Sequence, residues 1–141
     1  MPGPVTVDAS VFMNAFNPYE AGHELSRAVL ERFRAEGTPM VEPTLLLPEV
    51  ASAVRRGRGD PTLAVEFARN LGALPQLVLI PLDESLARQA AEVAAVHGLR
   101  GSDAVYAAVA LRFGASLLTL DLQQQARMPA VVPTSSPADL T

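Results

Sequence analysis

Short apolar runs alternate along this chain with longer amphipathic segments, and this pattern restricts the possible folds more than any other feature. Four runs have strand-like composition, at about 4–7, 39–42, 77–82 and 115–120, and a shorter one at 131–132 could form an edge strand. Strands separated by helices are typical of right-handed βαβ units and a mainly parallel sheet. We therefore predict one α/β domain over residues 1–141, with four or five central strands and a loosely ordered tail at 133–141.

The segments between these runs carry the apolar spacing and the end signals of helices. Glycines at the ends, and Asp, Ser or Thr at the starts, are the usual residues of helix termini. The predicted helices cover 20–36, closed by Gly37; 45–56, capped by Thr44; 61–72, capped by Asp60; 84–97, capped by Asp83 and closed by Gly98; and 103–113, capped by Ser102 and closed by Gly114.

Composition excludes several classes of function. All eleven basic residues are Arg and the net charge is −4, so the chain has no overall cationic field to attract nucleic acid or an anionic membrane. The absence of Cys excludes disulfides, zinc thiolate sites and a cysteine nucleophile. The absence of Lys excludes a P-loop and the lysine of a response-regulator receiver. With no signal-peptide pattern or apolar span at the start, we expect a cytoplasmic protein without membrane contact.

Four acidic residues fall where a parallel sheet could gather them. Asp8 and Asp121 follow predicted strands, Asp103 begins a predicted helix, and Glu49 lies in the first turns of another. Strand carboxyl ends and helix starts point to the same edge of such a sheet. Carboxylates that converge repel one another unless some are protonated or a hard cation balances them. The arrangement favours a divalent-metal site.

Each acid also has a simpler interpretation. An Asp after a strand or at a helix start is commonly a cap, and a Glu in a first turn is stabilised by the helix dipole alone. Asp60 and Asp83 are expected to be caps only, and Asp139 lies in the predicted tail. The surroundings of Glu49 are apolar, however, and an unpaired Glu on a largely buried helix would be costly. Taken together, the four acids favour a site over four separate caps.

Four short motifs resemble those of one protein family. They are Val-Asp-Ala-Ser at 7–10, Leu-Pro-Glu-Val-Ala-Ser-Ala-Val-Arg-Arg at 47–56, Arg-Gly-Ser-Asp-Ala-Val-Tyr-Ala-Ala-Val-Ala at 100–110 and Leu-Leu-Thr-Leu-Asp at 117–121. Their order and spacing resemble the PIN-domain ribonucleases, and most of all the VapC toxins of toxin–antitoxin systems. The resemblance covers nearly the whole chain and implies the PIN-like three-layer α/β/α sandwich.

The resemblance also implies an activity and a site. Such proteins cleave RNA phosphodiesters with Mg²⁺ or Mn²⁺, ions that prefer carboxylate oxygens and can activate water while neutralising phosphate charge. Asp8, Glu49, Asp103 and Asp121 match the family's acidic quartet, as catalytic residues and metal ligands. Ser10 and Thr119 match the small hydroxyl residues that accompany the quartet. A VapB-like antitoxin and a homodimer are implied as partners, and the small residues Ala104, Ala107 and Ala108 would permit close helix packing.

Two further features bear on the candidate site. Gln residues at 123–125 follow Asp121 where relatives often carry charged residues. Arg55 and Arg56 begin an Arg-rich stretch at 55–59 that could hold RNA phosphates, although such stretches are more often simply solvated. We expect this stretch to form a loop at the far end of its helix from Glu49, which favours a partner contact over catalysis.

Other classes of protein stay open at this point. A non-catalytic PIN-like binding module would typically have lost one or more acids, whereas this chain keeps four. A PIN-type housekeeping nuclease without a toxin role fits the same residues. A haloacid-dehalogenase-like phosphatase would need a second Asp two positions after the first, where this chain has Ser10.

Overall fold

The computed structural model describes residues 3–140, and its centre is a five-stranded parallel sheet. The spatial order is β3-β2-β1-β4-β5. This confirms the predicted α/β fold with a parallel sheet. The strands are β1 (Val5–Val7), β2 (Met40–Pro43), β3 (Leu77–Ile80), β4 (Ser116–Leu118) and β5 (Thr134–Ser135).

Seven α-helices connect these strands in two layers. The chain passes from β1 to β2 to β3 in one direction and then returns past β1 to β4 and β5. Because crossovers between parallel strands are right-handed, this reversal places the first four helices on one face of the sheet and the last three on the other. The helices are α1 (Ala9–Phe16), α2 (His23–Glu36), α3 (Leu46–Arg58), α4 (Pro61–Gly72), α5 (Glu84–His97), α6 (Gly101–Phe113) and α7 (Leu122–Arg127).

Most predicted helix ends are confirmed, but not every predicted cap. Asp60 and Asp83 accept hydrogen bonds from the first backbone N–H groups of α4 and α5, as expected. The prediction that Thr44 and Ser102 cap helices was wrong. The capping position is Leu45 in α3 and Arg100 in α6, and neither side chain bonds to the first turn of its helix. The start of α3 is instead tied to the sheet, where the backbone N–H of Thr44 donates to the carbonyl of Ile80.

Two helices were not predicted, and both begin at residues of the acidic quartet. Asp8 caps α1 and Asp121 caps α7. These helices have 8 and 6 residues, which is too short for an apolar periodicity to stand out. They shape the edge of the sheet where the acids gather.

Two predictions about strands need correction. The run at 77–82 was expected to be covered on both faces, but β3 lies at the sheet edge and the side chain of Val78 is half-exposed. The segment 133–141 was expected to be a loose tail. Up to residue 140 it instead contributes β5, which pairs with β4, and the 3-10 helix Pro137–Leu140.

Helix α6 lies at the centre of the molecule. Eight consecutive residues, Asp103 to Ala110, are buried, because the helix carries small and apolar side chains on all sides. Ala104, Ala107 and Ala108 pack inside this single chain, so they are not available to a dimer interface. Leu111, which follows this buried stretch, is 43% exposed.

Within residues 3–140, every helix is too short or too polar to cross a bilayer.

Candidate functional site

The carboxyl edge of the sheet opens into a cavity of about 530 Å³. β1 and β4 are neighbours at this edge although the chain continues from them in opposite directions, which is where open α/β sheets place their ligands. All four predicted acids line the cavity, with the unpredicted residues Arg100 and Gln124 among them.

Asp8 and Asp121 act as helix caps and also face the cavity. Oδ2 of Asp8 accepts from the backbone N–H of Ser10, and Oδ1 of Asp121 accepts from the backbone N–H groups of Gln123 and Gln124. Each carboxylate has a second oxygen, and this oxygen bonds to a side chain in the cavity. Capping a helix and lining the cavity are therefore compatible roles for these two acids.

Gln124 bridges the two buried acids. Its Nε2 donates to Oδ1 of Asp103 at 2.6 Å and to Oδ1 of Asp8 at 3.4 Å. Asp8 and Asp103 are only 8% and 6% exposed, so the amide provides a shared hydrogen-bond donor to two carboxylates that are largely shielded from water. Oε1 of Gln124 is buried and has no hydrogen-bond partner.

Arg100 supplies a positive charge next to the acids of the cavity. Its Nε donates to Oδ2 of Asp103 at 2.9 Å, and its Nη2 donates to Oδ2 of Asp121 at 2.8 Å. These hydrogen bonds raise the pKa of Arg100, that to Asp103 most. Partial burial acts to raise the pKa of Asp121. Hydrogen bonds from the Gln124 backbone, Arg100 and the Gln123 backbone outweigh burial and lower it below its usual value.

Ser10 and Thr119 join the ends of β1 and β4. The backbone N–H of Leu120 donates to Oγ of Ser10 at 3.1 Å. Oγ1 of Thr119 donates to Oδ2 of Asp8 at 3.5 Å and accepts from the backbone N–H of Asp121 at 3.0 Å. Both hydroxyl residues therefore help to fix the acids.

Glu49 faces the cavity from the first turn of α3. Burial raises its pKa, a hydrogen bond from Tyr106 lowers it, and the charges of Asp8 and Asp103 raise it further. Glu49 lines the same cavity as Asp8 and Asp103. Tyr106 is buried in the core, and its hydroxyl group donates to Oε1 of Glu49 at 2.6 Å.

Glu42 is an acid that sequence reasoning assigned only to a strand. It is fully buried, and its Oε2 accepts from the backbone N–H of Val7 at 2.7 Å. Burial raises the pKa of Glu42 well above its usual range, and the nearby charge of Asp8 raises it further. The bond holds the end of β1 directly before Asp8. The sequence signal that could have identified Glu42 as a buried acid is its position in a predicted apolar strand.

Of the two predicted phosphate-binding residues, Arg55 and Arg56, one lines the cavity and the other does not. Arg56 lines the cavity and donates to Oγ of Ser52, whereas Arg55 lies outside the described lining. The stretch was expected to be a loop remote from Glu49, but residues 55–58 belong to α3. Seven positions separate Glu49 from Arg56, which is two helical turns, so both side chains can face the cavity.

The donor set suits a hard divalent cation, since it consists of carboxylate oxygens. The guanidinium of Arg100 already stands in as a cation between two of the acids. Across residues 3–140, however, no three His, Cys, Asp or Glu side chains are arranged to hold one ion as they stand. The carboxylate chemistry suits such an ion, and its binding would require Arg100 to release Asp103 and Asp121.

Comparison with solved structures identifies the same fold in toxin–antitoxin proteins. A toxin–antitoxin complex from Klebsiella pneumoniae superposes with a TM-score of 0.68 at 17% identity, covering 94% of this chain and 97% of the other. VapC20 from Mycobacterium tuberculosis, described as a sarcin-ricin loop cleaving toxin, gives 0.71 at 21% identity, with 86% and 93% covered. DNA-bound VapBC from Salmonella typhimurium gives 0.71 at 14% identity, with 96% and 98% covered. At these identities the likeness shows a shared fold.

Comparison with curated protein sequences found no significant match. The model of the PIN domain family matches residues 5–130. This range includes all four acids, together with β1 and β4, the strands that precede Asp8 and Asp121. The family expected from the motifs is thereby confirmed, together with its α/β/α sandwich. This chain belongs to the PIN domain family.

Proposed function

We propose that this protein is a metal-dependent endoribonuclease that acts as a VapC-like toxin. One observation carries the proposal. Asp8 and Asp103, which are far apart in the chain, are both buried and both accept from Nε2 of Gln124, at the edge where Asp121 and Glu49 also lie. An arrangement that places buried acids so close to one another is costly unless some are protonated or a cation balances them, and the proposal is that a metal ion takes this role.

In this proposal Asp8 and Asp103 are the principal ligands of Mg²⁺ or Mn²⁺, and Asp121 and Glu49 complete the site. When bound, the ion would activate water and neutralise charge on the phosphate. Ser10 and Thr119 hold Asp8 and Asp121 in place, and Tyr106 holds Glu49. Arg56 lies on the wall of the cavity, and in this proposal it would contact the RNA backbone.

The first experiment tests Asp103. The variant Asp103→Asn has nearly the same shape but lacks the ligand charge, so we expect Mn²⁺ affinity and RNA cleavage to fall by about 100-fold or more. Isothermal titration calorimetry measures the first and cleavage of total cellular RNA the second. The control is Asp60→Asn, at a helix cap that lies away from the cavity. Asn can also cap a helix, so this variant should match wild type. Unchanged cleavage by Asp103→Asn would remove the proposed role.

The toxin role has its own support and its own test. Structures with this fold include a toxin–antitoxin complex and VapBC bound to DNA, which supports a small VapB-like antitoxin as the partner of this chain. Induced expression should arrest growth, and co-expression of a small protein encoded beside this gene should relieve the arrest. A nuclease that cleaves RNA but leaves growth unaffected would instead be a housekeeping enzyme.

The ion pairs of Arg100 favour a second candidate, a non-catalytic PIN-like binding module. In such a module the guanidinium would balance Asp103 and Asp121 permanently, and no metal would be needed. Wild-type protein that neither binds Mn²⁺ nor cleaves RNA would favour this candidate.

A further inference from the structure

Arg100 occupies the oxygens that a metal ion would need. Both of its contacts are to Oδ2 atoms, one on Asp103 and one on Asp121, two of the four acids at the cavity. An arginine stays protonated at any physiological pH, so it cannot leave this position by losing its charge. A divalent ion held by the same carboxylates would therefore repel the guanidinium and displace it.

The side chain of Arg100 can leave while its backbone stays fixed. Arg100 directly precedes α6, and its carbonyl accepts from the backbone N–H of Ala104 at 2.9 Å. Its side chain is 56% exposed, compared with 9% for Asp103 and 30% for Asp121. A rotation of side-chain torsions at the rim would release both carboxylates, and the buried helix would not need to move.

A displaced guanidinium at this rim needs another anion. The nearest anion in a complex with RNA is a phosphate of the bound strand, and the planar fork of arginine matches phosphate oxygens as well as carboxylate oxygens. The net charge of −4 and the acids of the cavity give RNA little other attraction here, so each local arginine counts.

We propose that Arg100 exchanges partners during the working cycle. It pairs with Asp103 and Asp121 while the site lacks its ion, and it binds an RNA phosphate once the ion has taken those carboxylates. This inference rests on the proposed nuclease function. It makes Arg100 a substrate-binding residue whose contact becomes available only in the metal-loaded site.

The test compares Arg100→Gln with Arg112→Gln. Arg112 is an exposed residue at the other end of α6 that bonds to Gln89 and Ser85, away from the acids, so it controls for the loss of one positive charge. Calorimetric titration with MnCl₂ at fixed ionic strength gives metal affinity without any dependence on activity. Because a competing cation is gone, Arg100→Gln should bind Mn²⁺ about threefold to fivefold more tightly.

The second measurement is cleavage kinetics at saturating Mn²⁺ on an RNA that wild type cleaves. Arg100→Gln should raise KM about threefold to tenfold while changing kcat less, because a phosphate contact is lost. The slope of log kcat/KM against log salt concentration should become shallower by about 0.7. Arg100→Lys should recover part of the KM, since it keeps the charge but not the fork. Arg112→Gln should match wild type in both measurements.

The outcomes separate this inference from the proposed function. If wild type binds no Mn²⁺ and cleaves no RNA, the nuclease function itself fails. If wild type does both but Arg100→Gln binds Mn²⁺ no more tightly, Arg100 does not compete with the ion and the exchange is overturned. Tighter Mn²⁺ binding with an unchanged KM would also overturn it, since Arg100 would then be a counterion only.

Discussion

The hydroxyl oxygen of Tyr106 lies 2.6 Å from Oε1 of Glu49, and this contact joins the buried middle of α6 to the first turn of α3. The two residues are 57 positions apart in the chain. Burial raises the pKa of Tyr106, and the bond to Glu49 raises it further, so the phenol stays protonated and donates. A core tyrosine thus sets the position of an acid at the cavity.

Replacing Tyr106 by Phe should weaken the fold and change the titration of Glu49. The bond favours the ionised form of Glu49, so its loss should raise the pKa of that carboxyl further. Because Glu49 is only half-buried and can be solvated, the expected loss of stability at neutral pH is about 1 kcal/mol, and less at acidic pH. Urea unfolding and an NMR titration of the Glu carboxyl groups measure the two effects. Tyr19→Phe, at a side chain that is 94% exposed, should change neither.

Replacing Glu42 by Gln should change how stability depends on pH. Glu42 has a raised pKa in the folded protein, so it stabilises the fold below the usual Glu pKa, and that contribution is lost as pH rises through the folded value. Wild type should therefore lose stability relative to Glu42→Gln as pH rises above about 4.5, by up to about 1.4 kcal/mol per pH unit.

The unpaired amide of the Gln variant adds an offset that does not depend on pH, so the slope is the diagnostic quantity in that comparison. Denaturant unfolding across the pH range provides it. Glu66→Gln, on the exposed surface of α4, controls for the loss of one carboxyl group. Parallel stability curves for wild type and Glu42→Gln would mean that Glu42 ionises in the fold as freely as in the unfolded chain.

Gln124→Leu should destabilise the protein most when divalent ions are absent. The change removes the donor between Asp8 and Asp103 and leaves two buried acids without it, at a cost of about 1–3 kcal/mol. A metal ion can replace the lost positive potential, so Mn²⁺ should restore more stability to this variant than to wild type. Thermal unfolding in EDTA and in Mn²⁺ tests this. Gln123→Leu, whose exposed side chain has no bond in the cavity network, is the control.

Asp121 allows its capping role to be separated from its role in the site. Asp121→Ser keeps a side chain that can cap α7, whereas Asp121→Ala does not and should be less stable by about 1 kcal/mol. Both variants lose the oxygen that pairs with Arg100 and should cleave RNA poorly. Unfolding and cleavage are measured on the same preparations. Full activity in Asp121→Ser would mean that Asp121 serves the protein only as a cap.

Local sequence determined most of the framework. The alternation of apolar runs and helical segments predicted the parallel sheet, because strands and helices bury their faces with different periods. Asp60, Asp83 and the glycines after α2, α5 and α6 predicted helix ends, since caps and left-handed glycines depend on neighbouring residues only. The motifs predicted the PIN domain family and drew attention to four acids that the fold does bring to one cavity.

Tertiary structure decided how those acids are balanced. The sequence motifs that contain or adjoin Arg100 and Gln124 gave neither residue a role in the site. Both line the cavity because α6 and α7 begin at the same edge of the sheet. Whether Glu42 is exposed or fully buried depends on which strands lie beside β2. The short helices α1 and α7 begin at the carboxyl edge of the sheet, and they too depend on the packed fold. The sequence by itself identifies charged residues and the ends of helices and strands, because those signals depend on residues that are close together in the chain. Electrostatic partners are set by distances of a few ångströms between residues that are far apart in the chain, and only the packed fold fixes those distances.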